Sequence, residues 1–317
     1  MRWWNKFHVL IPLLTCCAAV FSAASSSARQ TSNHHIKTVF IILMENKNWF
    51  MIKDNPLAPY ITGALLPNAS HTEVYFNPPF NHPSLPNYLW LEAGTNFGIY
   101  NDDPPSVNHQ STARHLVTLL ENAGVSWKAY AENIDGLTCP LTDSYPYAVK
   151  HNPFVYFDNV TDNLDVMSAY CIAHVRPFQE LATDLMQATT ASYNFIIPNV
   201  CDDMHDACPS TGNPITDTLQ QIKQGDDWLS QNVPMILRSA AYQQGALFIT
   251  WDEAAIADGP IGMIVLSPFA KGHGYENFIY YEHGSTLRTM QEIFGVMPLL
   301  RDARRQRDLR NLFAIFP

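Results

Sequence analysis

Short apolar runs, rich in β-branched and aromatic residues, recur along this chain and constrain its fold more than any other feature. The first, residues 38–44 (Thr-Val-Phe-Ile-Ile-Leu-Met), is almost wholly apolar, as expected of a strand buried on both faces. The other runs are residues 125–131, 193–198, 246–251 and 262–267. Helical patterns lie between them, at residues 112–123, 177–187, 216–230, 233–243 and 285–294. Strands that alternate with helices predict an α/β fold with a mostly parallel central sheet and helices on both faces.

Residues 1–30 predict a secretory signal peptide that is not part of this fold. Arg2 and Lys6 precede an apolar run over residues 9–21, and a tract of small residues follows. The run is too short to span a bilayer comfortably, so we predict no transmembrane segment. Cys16 leaves a lipoprotein anchor open as an alternative. Residues 31–317 are then a single domain of a secreted, periplasmic or cell-envelope protein.

The net charge of −10 argues against nucleic acid or an anionic membrane as a partner. A small anionic substrate is still compatible with this charge, because a metal ion or a few local donors can reverse the field inside a cleft. Composition alone therefore predicts a small-molecule partner and gives no oligomeric state.

Four cysteines follow the signal peptide, and an even number in an exported chain predicts two disulfides. Of the three possible connectivities we favour the two local ones, Cys139–Cys171 and Cys201–Cys208. Zinc binding is the rival interpretation, but the chain offers no Cys-x-x-Cys pair for it.

Residues 81–98 predict a turn that delivers Ser84 to the start of a helix. Pro83 disfavours helix just before it, and Pro86 fits the first helical turn, where a missing N–H costs nothing. Free backbone N–H groups and the positive end of the helix dipole make this a good place to hold a phosphate. The alternative is that Ser84 is only an N-cap.

Polar residues follow three of the apolar runs. Glu45 and Asn46 come directly after the first, and Asp252 and Glu253 follow the fourth. The residues after the run at 193–198 include Asn199, Asp202, Asp203 and His205. In a parallel sheet these groups meet at one edge, where clustered carboxylates repel unless a cation neutralises them. We therefore predict a divalent metal ion. Oxygen ligands favour Ca²⁺, Mg²⁺ or Mn²⁺, whereas added histidines would favour Zn²⁺.

Five motifs in order carry a resemblance to a known family. They lie at residues 44–46 (Met-Glu-Asn), 81–89 (Asn-His-Pro-Ser-Leu-Pro-Asn-Tyr-Leu), 198–206 (Pro-Asn-Val-Cys-Asp-Asp-Met-His-Asp), 249–253 (Ile-Thr-Trp-Asp-Glu) and 283–289 (His-Gly-Ser-Thr-Leu-Arg-Thr). Together they resemble the phosphoesterase family of secreted bacterial acid phosphatases and phospholipases C, within the alkaline phosphatase superfamily. The segment that begins at His151 is similar to one in the acid phosphatase branch.

The resemblance implies an α/β/α sandwich fold with Ser84 as the nucleophile. It also implies that Glu45, Asn46, Asp252 and Glu253 bind the metal, and it favours one ion over two. Related enzymes often have Asp or His where this chain has Glu253, so the identity of the metal is left open.

We accordingly predict a metal-dependent phosphomonoesterase of the acid phosphatase type, which acts through a phosphoseryl intermediate. Backbone N–H groups after Ser84 would hold phosphate oxygens, and either His205 or His283 would protonate the leaving alkoxide. The side chains predicted to bind the substrate are Asn199, Asp202 and His82.

Three other functions are weighed against this one. A phosphodiesterase, a phospholipase C or a phosphoinositide phosphatase would share the same motifs. A phosphate-binding envelope protein without activity would need no nucleophile such as Ser84. A sulfatase would need an arginine shortly after the nucleophile, and Ser84-Leu-Pro-Asn-Tyr lacks it.

Overall fold

The structure is a computed structural model that describes residues 1–4 and 34–317. Residues His34–Pro317 form one compact unit. The predicted signal peptide lies outside the described residues except for its first four positions, and so does Cys16. Among the described helices, none has the length and apolar character needed to cross a bilayer.

Of the ten strands in the described part of the chain, eight form a central sheet in the order β5-β4-β6-β1-β7-β8-β2-β9, and β3 pairs with β10. The strands are β1 Thr38–Met44, β2 Ser70–Thr72, β3 Tyr75–Phe76, β4 Trp127–Ala131, β5 Val175–Pro177, β6 Tyr193–Ile197, β7 Gly245–Trp251, β8 Met263–Leu266, β9 Tyr275–Asn277 and β10 Tyr281–Glu282. The predicted parallel sheet is confirmed: β1 lies at its centre, parallel to both β6 and β7.

Strand β1 is apolar because it is covered on both faces and flanked on both edges. Ile41 pairs with Phe195 of β6 and with Phe248 of β7, and all three side chains are buried. Strand β8 runs antiparallel to β7. The reason is the connection: residues 252–262 contain no helix, and a parallel return needs a crossover of about a dozen residues or more, usually helical.

Within residues 34–317, nine α-helices accompany the sheet. They are α1 Trp49–Ile52, α2 Ser84–Ala93, α3 Pro105–Asn108, α4 Leu116–Asn122, α5 Asp158–Thr161, α6 Ala169–His174, α7 Glu180–Gln187, α8 Pro214–Leu237 and α9 His283–Phe294. The prediction of two helices at residues 216–230 and 233–243 is wrong, because α8 is continuous. Its apolar stripe of Leu229, Val233 and Ile236 keeps helical spacing across Pro234, and all three side chains are buried.

Both predicted disulfides are confirmed. Cys139–Cys171 joins the long segment after β4 to α6, and Cys201–Cys208 closes the loop after β6. That long segment contains two 3-10 turns, Val149–His151 and Pro153–Tyr156, which lie against α2. The loops after β1, β6 and β7, the segment after β4 and the start of α2 therefore meet at one edge of the sheet.

Candidate active site

Ser84 is the first residue of α2 and is almost completely buried. Its hydroxyl donates a hydrogen bond of 2.9 Å to Glu45 Oε2, at the end of β1. The predicted helix start is confirmed. The hydroxyl is directed at a carboxylate and not at the backbone of its own helix, so it does not act as an N-cap.

The Glu45 carboxylate lies at the centre of a buried cluster. Its Oε1 accepts a 2.5 Å hydrogen bond from the Tyr88 hydroxyl and lies 3.2 Å from His151 Nε2. The other ring nitrogen of His151 lies 3.0 Å from Asp203 Oδ2. Tyr88 follows Ser84 by four residues, so both side chains face the cluster from one side of α2. Loops and a helix that are far apart in sequence thus converge on one carboxylate.

Asp252 joins this cluster from the end of β7. Its Oδ1 accepts a 2.9 Å hydrogen bond from the backbone N–H of Asn46. Asn46 adopts a left-handed conformation with φ of 49°, which asparagine tolerates better than most residues. This turn after β1 directs an N–H at the carboxylate of the neighbouring strand.

His283 fixes the backbone of Asp252 from the opposite side. Its Nε2 donates a 2.6 Å hydrogen bond to the Asp252 carbonyl, and its Nδ1 lies 3.1 Å from the Tyr75 hydroxyl. Burial lowers the pKa of His283 to about 4. Both nitrogens of the imidazole are thus engaged with groups of the fold.

The carboxylates of the cluster are far from their ordinary ionisation behaviour. Burial raises the pKa of Glu45 well above its usual value, and the nearby charges of Asp252 and Asp203 raise it further. Burial likewise raises the pKa of Asp203 well above its usual value and that of Asp252 to about 6. Carboxylates held this close must be protonated or neutralised by a cation.

The donor set fits a metal ion. Asp252 Oδ2 is buried without a hydrogen-bond partner in the described part of the chain, and both His151 nitrogens are close to carboxylate oxygens without hydrogen-bond alignment. Glu45, His151 and His205 also offer ligand atoms that all lie within 4.8 Å of one another. Carboxylate and imidazole ligands together suit zinc as well as the harder divalent cations.

His205 lines an adjoining cleft of about 530 Å³, together with Asn46, Lys47, His82 and Glu253. Its Nδ1 donates to Asp206 Oδ1 at 2.7 Å, and its Nε2 lies 3.3 Å from Lys150 Nζ. Of the two histidines predicted as the general acid, His205 is the one that reaches the cleft.

His82 and Glu253 meet at the rim of the same cleft. His82 Nδ1 lies 2.7 Å from Glu253 Oε2, and its Nε2 lies 2.7 Å from Asp258 Oδ1. Asn87 donates to the same Glu253 oxygen at 3.0 Å. Burial raises the pKa of Glu253 to about 8. The structure thus places Glu253 in contact with His82, next to the cluster of Glu45 and Asp252.

The structure does not bring Asn199 and Asp202 to Ser84. The Asn199 amide donates to Asn133 and to Asp202, and its Oδ1 accepts from the N–H of Cys201. Asp202 lines a separate cavity with Glu132 and other residues. Asn199 uses its side chain to shape its own turn, as asparagine often does. The carboxylate that this loop delivers to Glu45 is the neighbouring one, Asp203.

Sequence reasoning passed over four side chains at this site: Asp203, His151, Tyr88 and Lys150. Two of these side chains could have been found from features of the sequence. Tyr88 lies one helical turn after Ser84, and His151 begins the segment that resembles the acid phosphatase branch. Asp203 stands beside Asp202, and only the structure of the turn decides which of the two points inward.

The fold is that of the alkaline phosphatase superfamily. A protein of this superfamily from Vibrio parahaemolyticus superposes with a TM-score of 0.54 at 9% identity, over 85% of this chain and 70% of that chain. The sequence profile of the Phosphoesterase family matches residues 72–297, and the chain belongs to that family. The predicted fold and family are both confirmed, and membership makes the chain a phosphoric ester hydrolase.

Two curated relatives bear on its activity. Phosphatidylinositol-3-phosphatase of Mycobacterium tuberculosis is 29% identical over 262 residues, which are 81% of this chain and 77% of that protein. A probable acid phosphatase of Kluyveromyces lactis is 30% identical over 177 residues, 54% of this chain and 39% of that protein. This chain therefore spans most of the mycobacterial protein and less than half of the yeast one.

Proposed function

We propose that this hydrolase is a metal-dependent phosphomonoesterase of the acid phosphatase type, in which Ser84 attacks phosphorus and forms a phosphoseryl intermediate. The observation that carries the proposal is the 2.9 Å hydrogen bond from Ser84 to Glu45 at the start of α2. A serine hydroxyl is a weak nucleophile until a neighbouring group activates it. Here the hydroxyl is buried against the one cluster to which β1, β7 and the loop after β6 all contribute.

The side chains that would hold the metal are Glu45 and Asp252, with His151 and Asp203 beside them. A divalent cation bound there would lower the pKa of the Ser84 hydroxyl and offset the charge of the phosphate. Asn46 and Glu253 remain predicted ligands: both line the cleft, and Glu253 would have to give up contacts with His82 or Asn87. Calcium, magnesium, manganese and zinc are the candidate ions.

His205 is the proposed general acid. Its Nδ1–H is held by Asp206, so its Nε2 faces Lys150 and the cleft. In the neutral ring Nε2 accepts from Lys150, and in the protonated ring it would give its proton to the leaving alkoxide. His283 would act indirectly, through the Asp252 backbone that it holds. His82 would contact the leaving group from the rim, ordered by Glu253 and Asp258.

We also propose that the enzyme is exported. Two disulfides are expected to persist in an oxidising compartment, and they follow a segment with the pattern of a signal peptide. A secreted, periplasmic or cell-envelope location agrees with both features.

The test compares hydrolysis of p-nitrophenyl phosphate and bis-p-nitrophenyl phosphate from pH 4 to 9. The wild type should prefer the monoester, and Ser84→Ala should abolish its turnover. Mass spectrometry of acid-quenched enzyme should find phosphate on the peptide that contains Ser84. Preference for the diester would favour a phosphodiesterase or phospholipase C, and turnover by Ser84→Ala at the wild-type rate would overturn the mechanism.

A matched control is Ser168→Ala. Ser168 is also a buried serine at the start of a helix, but its hydroxyl caps α6 by accepting a hydrogen bond from the Cys171 N–H. Loss of that cap should cost about 1 kcal/mol of stability. It should leave kcat/KM unchanged, which separates the loss of a nucleophile from the loss of a helix-start serine.

A phosphoinositide is the second candidate substrate. The mycobacterial relative is named for one, and the rim of the cleft carries exposed apolar side chains, Phe80 and Ile256. Phe80 is tied to the rim through the hydrogen bond of its N–H to Asp258, and Ile256 lines the cleft. Release of phosphate from phosphatidylinositol 3-phosphate in vesicles, at a kcat/KM well above that for p-nitrophenyl phosphate, would support this substrate.

A further inference from the structure

Lys150 shares a partner, Asp102, with the residue that follows the candidate nucleophile, although it belongs to a distant segment. It sits in the 3-10 turn Val149–His151. The next residue, His151, stacks on Tyr88 with ring centroids 5.2 Å apart and planes only 5° from parallel. Because Tyr88 is one turn after Ser84 on α2, this stacking holds the turn against the helix start.

Asp102 connects Lys150 to the residue that follows the nucleophile. Its Oδ1 accepts a 2.9 Å hydrogen bond from the Leu85 N–H, and its Oδ2 accepts one of 3.0 Å from Lys150 Nζ. The sequence predicts that N–H groups after Ser84 hold phosphate oxygens, but the first of them is taken by this carboxylate. A phosphate at Ser84 therefore does not find the Leu85 N–H free.

Lys150 has a donor to offer. An ammonium group carries three N–H bonds. Asp102 takes one and His205 Nε2, at 3.3 Å, takes a second. The third has no hydrogen-bond partner within residues 34–317. The side chain is 20% exposed, so solvent and ligands reach it.

Lys47, the other lysine near the cluster, is placed differently. Its ammonium donates to the carbonyl oxygens of Asn46 and Met204, at 3.0 and 2.7 Å. The residue is only 3% exposed. Lys47 thus ties the loops after β1 and β6 together, whereas Lys150 contacts two side chains, Asp102 and His205.

We propose that Lys150 binds a non-bridging oxygen of the substrate phosphate beside Ser84, and that Asp102 is the positioning residue that aims it there. This inference rests on the proposed phosphatase function and adds a binding residue to it. A charge-assisted hydrogen bond to phosphate is present before and during the reaction, so its loss weakens binding more than turnover. Inorganic phosphate, a product of the reaction, should bind to the same lysine.

The experiment measures KM and kcat for p-nitrophenyl phosphate and the inhibition constant of inorganic phosphate. Lys150→Met should raise both KM and the inhibition constant about 10-fold or more, with a smaller change in kcat. Lys150→Arg should recover most of the affinity. Asp102→Asn, which can still accept from Leu85 but no longer attracts the ammonium, should raise both constants about threefold.

Lys128→Met is the matched control. Lys128 is a similarly exposed lysine that also pairs with an aspartate, Asp184, but it lies on β4 and donates to no residue of the cluster. The variant Lys128→Met should leave both KM and the inhibition constant of inorganic phosphate unchanged. Thermal unfolding of every variant separates a loss of phosphate binding from a loss of folding.

The possible outcomes distinguish a failure of the proposed role of Lys150 from a failure of the proposed phosphatase function. If the wild type hydrolyses monoesters and phosphate inhibits Lys150→Met as well as it inhibits the wild type, the role of Lys150 is wrong and the phosphatase proposal stands. If the wild type hydrolyses no monoester, the proposed function fails first. Should Lys150→Met not fold, Lys150→Gln, which can still donate to Asp102, decides by the same inhibition constant.

Discussion

Two clusters of carboxylates and histidines in this protein look alike but neutralise their charge differently. We call Glu45, His151 and His205 the site cluster, and His71, Glu73 and Glu276 the edge cluster, which lies on and beside β2 and β9. In each, three ligand atoms lie within 4.8 Å of one another. Proximity of ligand atoms therefore does not distinguish a metal site from a structural network.

The edge cluster contains its own cation. Lys53 Nζ lies 2.9 Å from Glu73 Oε1 and 3.1 Å from Glu276 Oε2. Burial alone would lower the pKa of Lys53, but its hydrogen bonds to Glu73 and Glu276 outweigh burial and raise it. The charge of this cluster is thus met by the chain itself.

Within residues 34–317, no lysine forms an ion pair with the Glu45 carboxylate of the site cluster. The nearest lysines donate elsewhere, Lys47 to backbone carbonyls and Lys150 to Asp102 and His205. Glu45 is completely buried and its pKa is raised well above the usual value. The comparison indicates that a bound metal ion is expected at the site cluster, where no lysine in the described part of the chain pairs with the carboxylate, and not at the edge cluster, which Lys53 already neutralises.

The largest expected difference is between Glu45→Gln and Glu73→Gln. Glu45→Gln should lower kcat/KM for p-nitrophenyl phosphate by about 100- to 1,000-fold, because it removes the carboxylate that faces Ser84. Glu73→Gln should leave kcat/KM within about twofold of the wild type. Equal losses in the two variants would show that the clusters do not differ in function.

Removal of the metal is expected to have the next largest effect, and it should distinguish the site cluster from the edge cluster. Dialysis against a chelator should abolish wild-type activity and lower its unfolding temperature, and one of the candidate divalent ions should restore both. A free metal concentration of about 100 times the dissociation constant should raise the free energy of unfolding by about 2.7 kcal/mol. The unfolding temperature of Glu45→Gln should no longer respond to chelator, whereas that of Glu73→Gln should respond like the wild type. The reverse pattern would place the metal in the edge cluster.

The fold was predictable wherever the signal is local and long. Strand β1 is a run of seven residues, and prolines mark the start of α2, so both could be predicted. Strands β2 and β9 have three residues each, too few to show any periodicity. Pairing with strands distant in sequence determines them, and local sequence does not contain that information.

The candidate active site shows the same difference between residues with a local sequence signal and residues placed by distant contacts. Glu45 and Asp252 directly follow strands that could be predicted, so their convergence could be predicted as well. The choice of Asp203 over Asp202 depends on a turn that Asn199 shapes with its own side chain. Lys150 is linked to the start of α2 through tertiary contacts of Asp102 and His151. Residues placed by loops were therefore missed more often than residues placed by strands.

A smaller effect should follow from removing the cation of the edge cluster. Lys53→Met leaves Glu73, which is 13% exposed, without its lysine and should lower the free energy of unfolding by about 1–2 kcal/mol. Activity should be retained. The control is Lys223→Met on α8, where an exposed i,i+4 pair with Asp227 is lost at a cost below about 0.5 kcal/mol. Equal urea midpoints for the two variants would contradict a structural role for Lys53.

The smallest effect concerns the pH dependence of stability at the edge cluster. Burial lowers the pKa of His71, and the charge of Lys53 lowers it further, although Glu73 and Glu276 oppose them. The unfolded imidazole, with a pKa of about 6.5, therefore binds a proton more readily than the folded one. Stability should fall as the pH drops from about 6.5 toward the lowered folded pKa.

His71→Gln should remove this dependence and lose less stability than the wild type between pH 7 and pH 5, by less than about 1 kcal/mol in urea unfolding. Lys53→Met should also reduce the dependence, because the positive charge that opposes protonation of His71 is gone. A steeper loss in His71→Gln would mean that His71 is protonated in the folded protein at neutral pH. The edge cluster would then be balanced by two cations, Lys53 and His71, and its contrast with the site cluster would be larger still.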